Sequence, residues 1–395
     1  MNEKKITVAY VVNSIQIAGA EMTVLETARH LDRNRFSPIV YVLREYPDRP
    51  TLAPRFEDAG VPLVYLASGR KIGIPSAISL LRARFKAVRP DIVHCHLPDA
   101  VASGSIAAAS LSIPFIIHED QAQGFHSWKL RLMYRIMRPF SALTICYADS
   151  IEGQIFGSSH VLDAPPEMIS SRSCTVSNGI DIERVAKVAA DVDRSKKRRE
   201  LGWAEEDVVI VSTARFIEWK GHRQLIEAFA SIAASIPQAR LFIAGDGAIR
   251  AELIERVHEL GLESRIEMPG VRTDVYEILS AADIFSLAFI YEKGKEGEAV
   301  GIAGFEAMAC GLPIVVSDYP GATQHTENGK NGSVVPRDSV QALSSALSAL
   351  ASDSGMRRAM GNSARDYAIR HLDWRIIVPI YERIYELCLT PASTD

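Results

Sequence analysis

The sequence predicts an α/β protein built from two doubly wound domains, and three observations carry that reading. Short runs of consecutive apolar residues alternate with longer amphipathic stretches, the alternation restarts after the middle of the chain, and a charged stretch poor in large apolar residues separates the two series. Residues apolar in succession suit strands covered on both faces, as in a parallel sheet with helices on either side.

The strands of the first series are ITVAYVVN (6 to 13), SPIVYVL (37 to 43), PLVYLA (62 to 67), DIVHCH (91 to 96), PFIIHE (114 to 119) and ALTICYA (142 to 148). Helical spacing occupies 20 to 31, 76 to 88, 99 to 109 and 128 to 138 between them. The charged stretch 183 to 207 reads as a linker. Beyond it come VVIVSTA (208 to 214), ARLFIAG (239 to 245), RIEMPG (265 to 270), DIFSLA (283 to 288) and LPIVVSD (312 to 318), and the region 339 to 389 reads as three helices. The expected organisation is two Rossmann-like domains, 1–190 and 191–372, with a helix and tail at 373–395 crossing back to the first. In open parallel sheets ligands bind outside the carboxyl ends of the strands, so the two domains are expected to face a cleft lined by those loops.

Composition fits. A chain of 395 residues suits two domains or three. With 47% hydrophobic and 23% charged residues it is ordinary globular protein. A net charge of −4 and a pI near 6.2 argue against nucleic acid as a partner. Five scattered cysteines, with no CxxC pair, give neither a disulfide framework nor a zinc site. No stretch reaches the ~18 apolar residues of a membrane span, and the apolar run at 6 to 13 ends at polar Asn13 and Ser14 and reads as a strand, not a signal peptide. The chain is placed in the cytoplasm, with membrane contact only at its surface.

Three loops have chemical content. Ile17-Ala18-Gly19-Ala20-Glu21 is a small-residue turn opening a helix, equally consistent with an anion contact and with a tight turn. Arg215 and Lys220 lie just past the strand VVIVSTA, where a guanidinium fork and an ammonium suit a diphosphate, or a solvated loop. In the run from Glu298 to Pro313, Glu298 precedes a helix that carries Glu306, with Gly301 and Gly304 between. Backbone N–H groups near Gly301 can meet a phosphate at the helix N-terminus, and a carboxylate accepts from paired hydroxyls, which together describe a sugar or ribose on a phosphate.

The run from Glu298 to Pro313, with EAMACGLP letter for letter, resembles the E-x7-E signature of retaining glycosyltransferases of the GT-B fold, family 4 (glycosyl transferases group 1). Further matches follow in order: the turn at 18 to 21, DIVHCH, His118, NGID at 178 to 181, Arg215 with Lys220-Gly221, AGDG at 244 to 247 and ENGKNGSVVP at 327 to 336. The resemblance implies an acceptor-side first domain and a nucleotide-sugar-binding second domain. It implies that Arg215 and Lys220 bind the donor diphosphate, Glu306 the ribose and Glu298 the donor sugar, with Gly301 on the phosphate or sugar. His118 and Gly19 would reach the reaction centre from the first domain, and the backbone at Val271 and Arg272 would receive the base. The expected catalytic set is Glu298, His118, Lys220 and Arg215. Charge on the leaving diphosphate would be met by these cations and the helix N-terminus, so no metal is expected.

The chain departs from the family pattern around the donor-sugar pocket. Ala288-Phe289 replaces a common Pro-Ser pair, the loop 291 to 297 is longer and more charged, and Gln324 stands for a frequent acidic residue. Asp191-Val-Asp193 spells a metal-nucleotide DxD but lies in the charged linker with no strand before it, so that role is set aside. His94 and His96 are read as structural, one facing inward and one outward.

Charge is unevenly divided. Residues 1 to 190 hold 21 basic and 18 acidic side chains, net +3, and the remainder holds 23 against 30, net −7. Segments 70–89 and 125–138 are basic, the second interleaved with aromatic and aliphatic residues. Such segments suit an anionic membrane surface on the cytoplasmic side, or an ordinary helix packed on the sheet. The expected activity is transfer of a sugar from a UDP- or GDP-sugar to a saccharide or lipid-linked saccharide hydroxyl, in cell-surface polysaccharide or glycolipid assembly. A phosphorylase, a sugar-nucleotide epimerase or a non-catalytic nucleotide-sugar scaffold are the alternatives.

Overall fold

The computed structural model describes residues 4–46, 50–67, 72–119, 128–290 and 301–390, the side chains of 128–131 and 320 excepted. Glu298 with the whole loop 291 to 300, Arg70, Lys71 and Phe125, and the side chains of Trp128, Lys129 and Arg131 lie outside the described set.

Strands β1 (Ile6–Val12), β2 (Phe36–Val42), β3 (Leu63–Tyr65), β4 (Ile92–His96), β5 (Phe115–Glu119), β6 (Leu143–Cys146) and β7 (Ser173–Thr175) form one sheet, ordered β3-β2-β1-β4-β5-β6-β7. Every pairing is parallel. A second parallel sheet contains β8 (Val208–Thr213), β9 (Ala239–Ala244), β10 (Ile266–Gly270), β11 (Ile284–Leu287), β12 (Ile314–Ser317) and β13 (Gly332–Val335), ordered β10-β9-β8-β11-β12-β13. Most strands are buried along their length, which is why they read as unbroken apolar runs. The strand order reverses between β1 and β4 and again between β8 and β11, the positions at which such sheets take ligands.

Two compact units result, Met1–Gly179 with Trp374–Asp395, and Ile180–Asp373. The boundary thus falls before the expected one at 190, because the supposed linker is structured. Asp181 caps the helix Ile182–Asp191, whose Ile182 and Val185 are buried, and Asp193 caps Arg194–Glu200. Within the latter, fully buried Arg198 reaches Asp283 and the carbonyls of Ala204, Ala281 and Asp207, tying this charged segment into the second unit. Asp191 and Asp193 are helix end and helix cap.

The C-terminal helix Trp374–Leu389 belongs to the first unit, where Ile377, Val378, Ile380, Tyr381, Ile384 and Tyr385 join the core built on Val8, Tyr10 and Phe36. Arg35 pairs with Glu382 and Glu386 on this helix. Each large apolar side chain buried this way contributes about 1.5–3 kcal/mol. The NGID segment marks the chain's passage between units: Asn178 lies 2.7 Å from the Thr23 hydroxyl, a Cβ at Gly179 would stand 2.5 Å from the Trp374 ring, and Ile180 N–H donates to Leu372.

Candidate active site

In the second unit the residues at the carboxyl ends of β8, β9 and β11 hold one another in place. Phe216 N–H donates to the Asp246 carbonyl at 2.9 Å, so the loop after β9 braces the loop carrying Arg215. The AGDG glycines permit this approach: side chains at Gly245 and Gly247 would strike the carbonyls of Ala214 and Phe216, at 1.9 and 2.3 Å. Gly221 closes the single 3-10 turn Glu218–Lys220 with φ of 66°, and a Cβ there would lie 1.7 Å from the Ala288 carbonyl oxygen. Trp219 accepts from Ile290 N–H at 3.1 Å, fastening the turn to the exit of β11.

This packing buries Lys220 with its ammonium 4.6 Å from the centre of the Phe289 ring. Burial, reinforced by Arg215, lowers its pKa from 10.5 to about 7. His222, buried and held near pKa 4 mainly by desolvation, is neutral and donates from Nε2 to the Arg215 carbonyl at 3.0 Å. Phe289 occupies one of the positions where the chain departs from the pattern of the family it resembles, and its ring is the floor beneath the ammonium.

Glu306 lies on the helix Ile302–Ala309, opened by Gly301, whose Cα is so close to Tyr319 that an added Cβ would meet its hydroxyl at 2.2 Å. Tyr319 in turn packs edge-on against Phe289, 4.5 Å between centroids. Partial burial raises the Glu306 pKa from 4.5 to about 7, against the opposing pull of the Tyr276 hydroxyl, 3.2 Å from Oε1, and of Arg184. Arg184 stacks 5.4 Å from the Tyr276 ring centroid. Neither partner of Glu306 has a signal in the sequence. Arg184 sat in the supposed linker and Tyr276 carried no motif.

Val271 and Arg272 follow β10. The Val271 side chain is exposed, while Arg272 makes a two-pronged pair with Asp274, at 2.8 and 2.6 Å, which also takes Lys197. That pairing holds the Asp274 carboxyl well below the usual range and leaves backbone as the open feature of the loop.

In the first unit Gly19 begins the helix Gly19–His30 after β1, with Ala18 extended and accepting from Met22 N–H. His118, near the end of β5, is fully buried beside His94 and His96. The latter two share one face, ring centroids 4.4 Å apart, correcting the expectation of opposite faces, since residues two apart on a strand point the same way. A recess of about 150 Å³ lies past β1, β2 and β3, lined among others by Ser14, Arg44, Glu45 and Tyr65.

The basic segments divide by face. Arg82, Arg84, Lys86 and Arg89 are exposed on and beyond the helix Ile74–Val88. On the helix Trp128–Met137 and the turn after it, Tyr134 and Met137 face the core, while Leu132, Ile136 and Phe140 are 47%, 52% and 70% exposed beside exposed Arg135. Arg138 pairs with Glu119. Among the described residues no helix is long and apolar enough to cross a membrane.

Two family profiles cover most of the chain: Glycosyltransferase Family 4 matches residues 17–184 and Glycosyl transferases group 1 matches residues 193–367. The chain belongs to the family 4 glycosyltransferases. Its fold agrees. The glycosyltransferase from Rickettsia africae superposes with a TM-score of 0.81 at 18% identity, over 98% of this chain and all of that one (100%). Anabaena HepE, in complex with UDP and glucose, superposes with a TM-score of 0.77 at 21% identity, over 95% and 98%. This glycosyltransferase is also similar to the phosphatidyl-myo-inositol mannosyltransferase of Mycobacterium tuberculosis, 25% identical over 358 residues, 85% of this chain and 87% of the relative. A GDP-mannose-dependent monoacylated alpha-(1-6)-phosphatidylinositol monomannoside mannosyltransferase of Corynebacterium glutamicum is 30% identical over 201 residues, 51% of this chain and about half (52%) of the relative.

Proposed function

We propose that the chain transfers a sugar, with retention of configuration, from a UDP- or GDP-sugar to a hydroxyl of a saccharide or lipid-linked saccharide. The observation that carries this reading is Lys220, an ammonium buried on an aromatic ring beside Arg215, in the loop after β8 at the point where the strand order reverses. Such a cation suits an anion that it meets away from water, and a diphosphate leaving group gains negative charge as its bond to the sugar breaks. Arg215 and Lys220 take that charge, with backbone N–H groups near Gly301 at the helix N-terminus. Glu306 accepts from the ribose hydroxyls, the Val271–Arg272 backbone meets the base, Glu298 holds the donor sugar, and Gly19 and His118 serve the reaction from the first unit. Donors of this class are supported by the relatives' names, one GDP-mannose-dependent and one seen with UDP.

The test is a thermal-shift screen of UDP- and GDP-sugars followed by product mass with saccharide acceptors, because a ligand of the native state raises Tm. A donor that shifts Tm and yields a glycosylated acceptor supports the reading. No shift with any of them sinks it, and release or interconversion of the sugar nucleotide without an acceptor points instead to a phosphorylase or epimerase. On this reading the cations make a divalent metal unnecessary, so turnover is expected to be undiminished in EDTA.

A lipid-linked acceptor at a membrane surface is supported by exposed Leu132, Ile136 and Phe140 beside Arg135, together with exposed Arg82, Arg84, Lys86 and Arg89. The protein is expected to co-sediment with phosphatidylglycerol-containing vesicles at low salt, and Ile136→Ser with Phe140→Ser to abolish it. Unchanged binding in that double variant would remove this part of the proposal.

A further inference from the structure

We propose that Tyr385, on the C-terminal helix, and His94 are positioning residues that fix His118 as a neutral hydrogen-bond donor through Nε2. The proposal deepens the reading above, in which His118 serves the transfer. The observation is an unbroken chain of buried polar groups. The hydroxyls of Tyr10 and Tyr385 lie 2.9 Å apart, the Tyr385 hydroxyl is 2.9 Å from His94 Nδ1, and His94 Nε2 is 3.2 Å from His118 Nδ1. All four side chains are fully buried. The two histidine rings are stacked, 10° from parallel. Burial, and repulsion from the neighbouring rings, hold His94 and His118 well below the ordinary imidazole pKa, so both rings are neutral.

A chain of neutral groups can be polarised in two ways, and each leaves one donor over. If His118 donates to His94 and His94 to Tyr385, the hydroxyl hydrogens point toward Tyr10, whose own O–H is stranded deep in the core. In the opposite sense Tyr10 donates to Tyr385, Tyr385 to His94 Nδ1, and His94 Nε2–H to His118 Nδ1. The remaining donor is then His118 Nε2–H, the ring nitrogen for which no partner occurs among the described residues. A phenol is a stronger donor than imidazole and imidazole nitrogen the better acceptor, which favours this second sense. The first sense leaves a permanent buried orphan, whereas the second leaves one that a ligand oxygen can satisfy. Such an oxygen belongs to a donor-sugar hydroxyl or to the diphosphate. The ring has no exposed surface, so contact requires the atoms around Nε2 to shift as ligand enters. The same three histidines have the donor atoms of a metal site, within 4.8 Å of one another, but no carboxylate joins the described group to offset a buried dication.

The experiment is long-range nitrogen–proton correlation NMR on the full chain with labelled histidine, together with steady-state kinetics. His94 and His118 are both expected as the Nε2–H tautomer. Tyr385→Phe keeps the ring and removes the hydroxyl: mixed tautomers at His94 and His118 are expected, with kcat lowered about tenfold and KM within about twofold. Tyr10→Phe is expected to do the same more weakly, and Tyr41→Phe, another buried tyrosine on the opposite face of the sheet, to change neither. An Nδ1–H tautomer at either histidine in the native protein overturns the proposal. So does an unchanged spectrum and kcat in Tyr385→Phe, or one equivalent of zinc bound by the purified protein and lost in His94→Gln. If no nucleotide sugar is turned over, the functional reading fails by itself, and the native tautomers still decide the relay.

Discussion

Lys220 and Glu306 titrate near the same pH, with opposite consequences. Lys220 loses its ammonium as pH rises through about 7, whereas Glu306 gains its carboxylate through the same range; in the roles proposed above, the first change would weaken binding of a diphosphate and the second would strengthen binding of ribose hydroxyls. Affinity for a nucleoside diphosphate is therefore expected to peak near neutrality; calorimetry across pH should show an acid limb missing in Glu306→Gln and an alkaline limb missing in Lys220→Arg. Stability runs the other way. Between about 7 and 10.5 the unfolded chain binds more protons at Lys220 than the native protein, so stability from this group rises with pH there. Between 4.5 and about 7 the native protein binds more at Glu306, so stability from that group falls as pH rises. Lys220→Met is thus expected to raise Tm at pH 7 while lowering kcat/KM by about 100-fold or more. A Tm that falls instead would show Lys220 to be part of the packing. Arg215 and Lys220, past a strand end, and Glu306, on the helix after Gly301, were legible as residue types at their places in the fold. Their pKa values were not, because desolvation depends on Phe289, Tyr276 and the folded loops around them.

The decisive elements are the short turns that bring one strand exit against another. Gly221→Ala places a methyl group against the Ala288 carbonyl in a left-handed backbone. It is expected to destabilise the protein by at least about 2 kcal/mol, measured by denaturant unfolding. Phe289→Ser, which restores the family's residue, lets water reach the ammonium and is expected to move the alkaline limb of the affinity profile upward by about one pH unit. A limb that stays put would mean the ring does not set the environment of Lys220. Elements with strong apolar runs were legible: each of the eleven expected strands is present, and the structure adds β7 and β13. SCT and GSVV are short and weakly apolar, and they become strands by pairing with β6 and β12. The helices Ile182–Asp191 and Arg194–Glu200 stand where the sequence reads as linker, since charge dominates the segment and burial of Val185 and Arg198 depends on the folded second unit.

At the scale of the molecule, the chain's last helix completes a core begun by its first strand. Removing residues 374 to 395 uncovers Val8, Tyr10 and Phe36 and takes seven large buried side chains with it, Trp374 among them. The truncated protein is expected to lose the cooperative unfolding of the first unit while Ile180–Asp373 retains its own, read as one calorimetric transition in place of two; two surviving transitions would contradict this. The net charge of −4 sums a first part at +3 and a second at −7. The sequence by itself determined the fold class, the number of domains and the family, because buried strands and the motif-bearing turns after them impose local patterns that survive without neighbours. Only the tertiary structure decided where the units divide, which rings lie under Lys220 and beside Glu306, and that Tyr385 reaches His94. Those are contacts between residues up to 291 positions apart, and no local pattern records them.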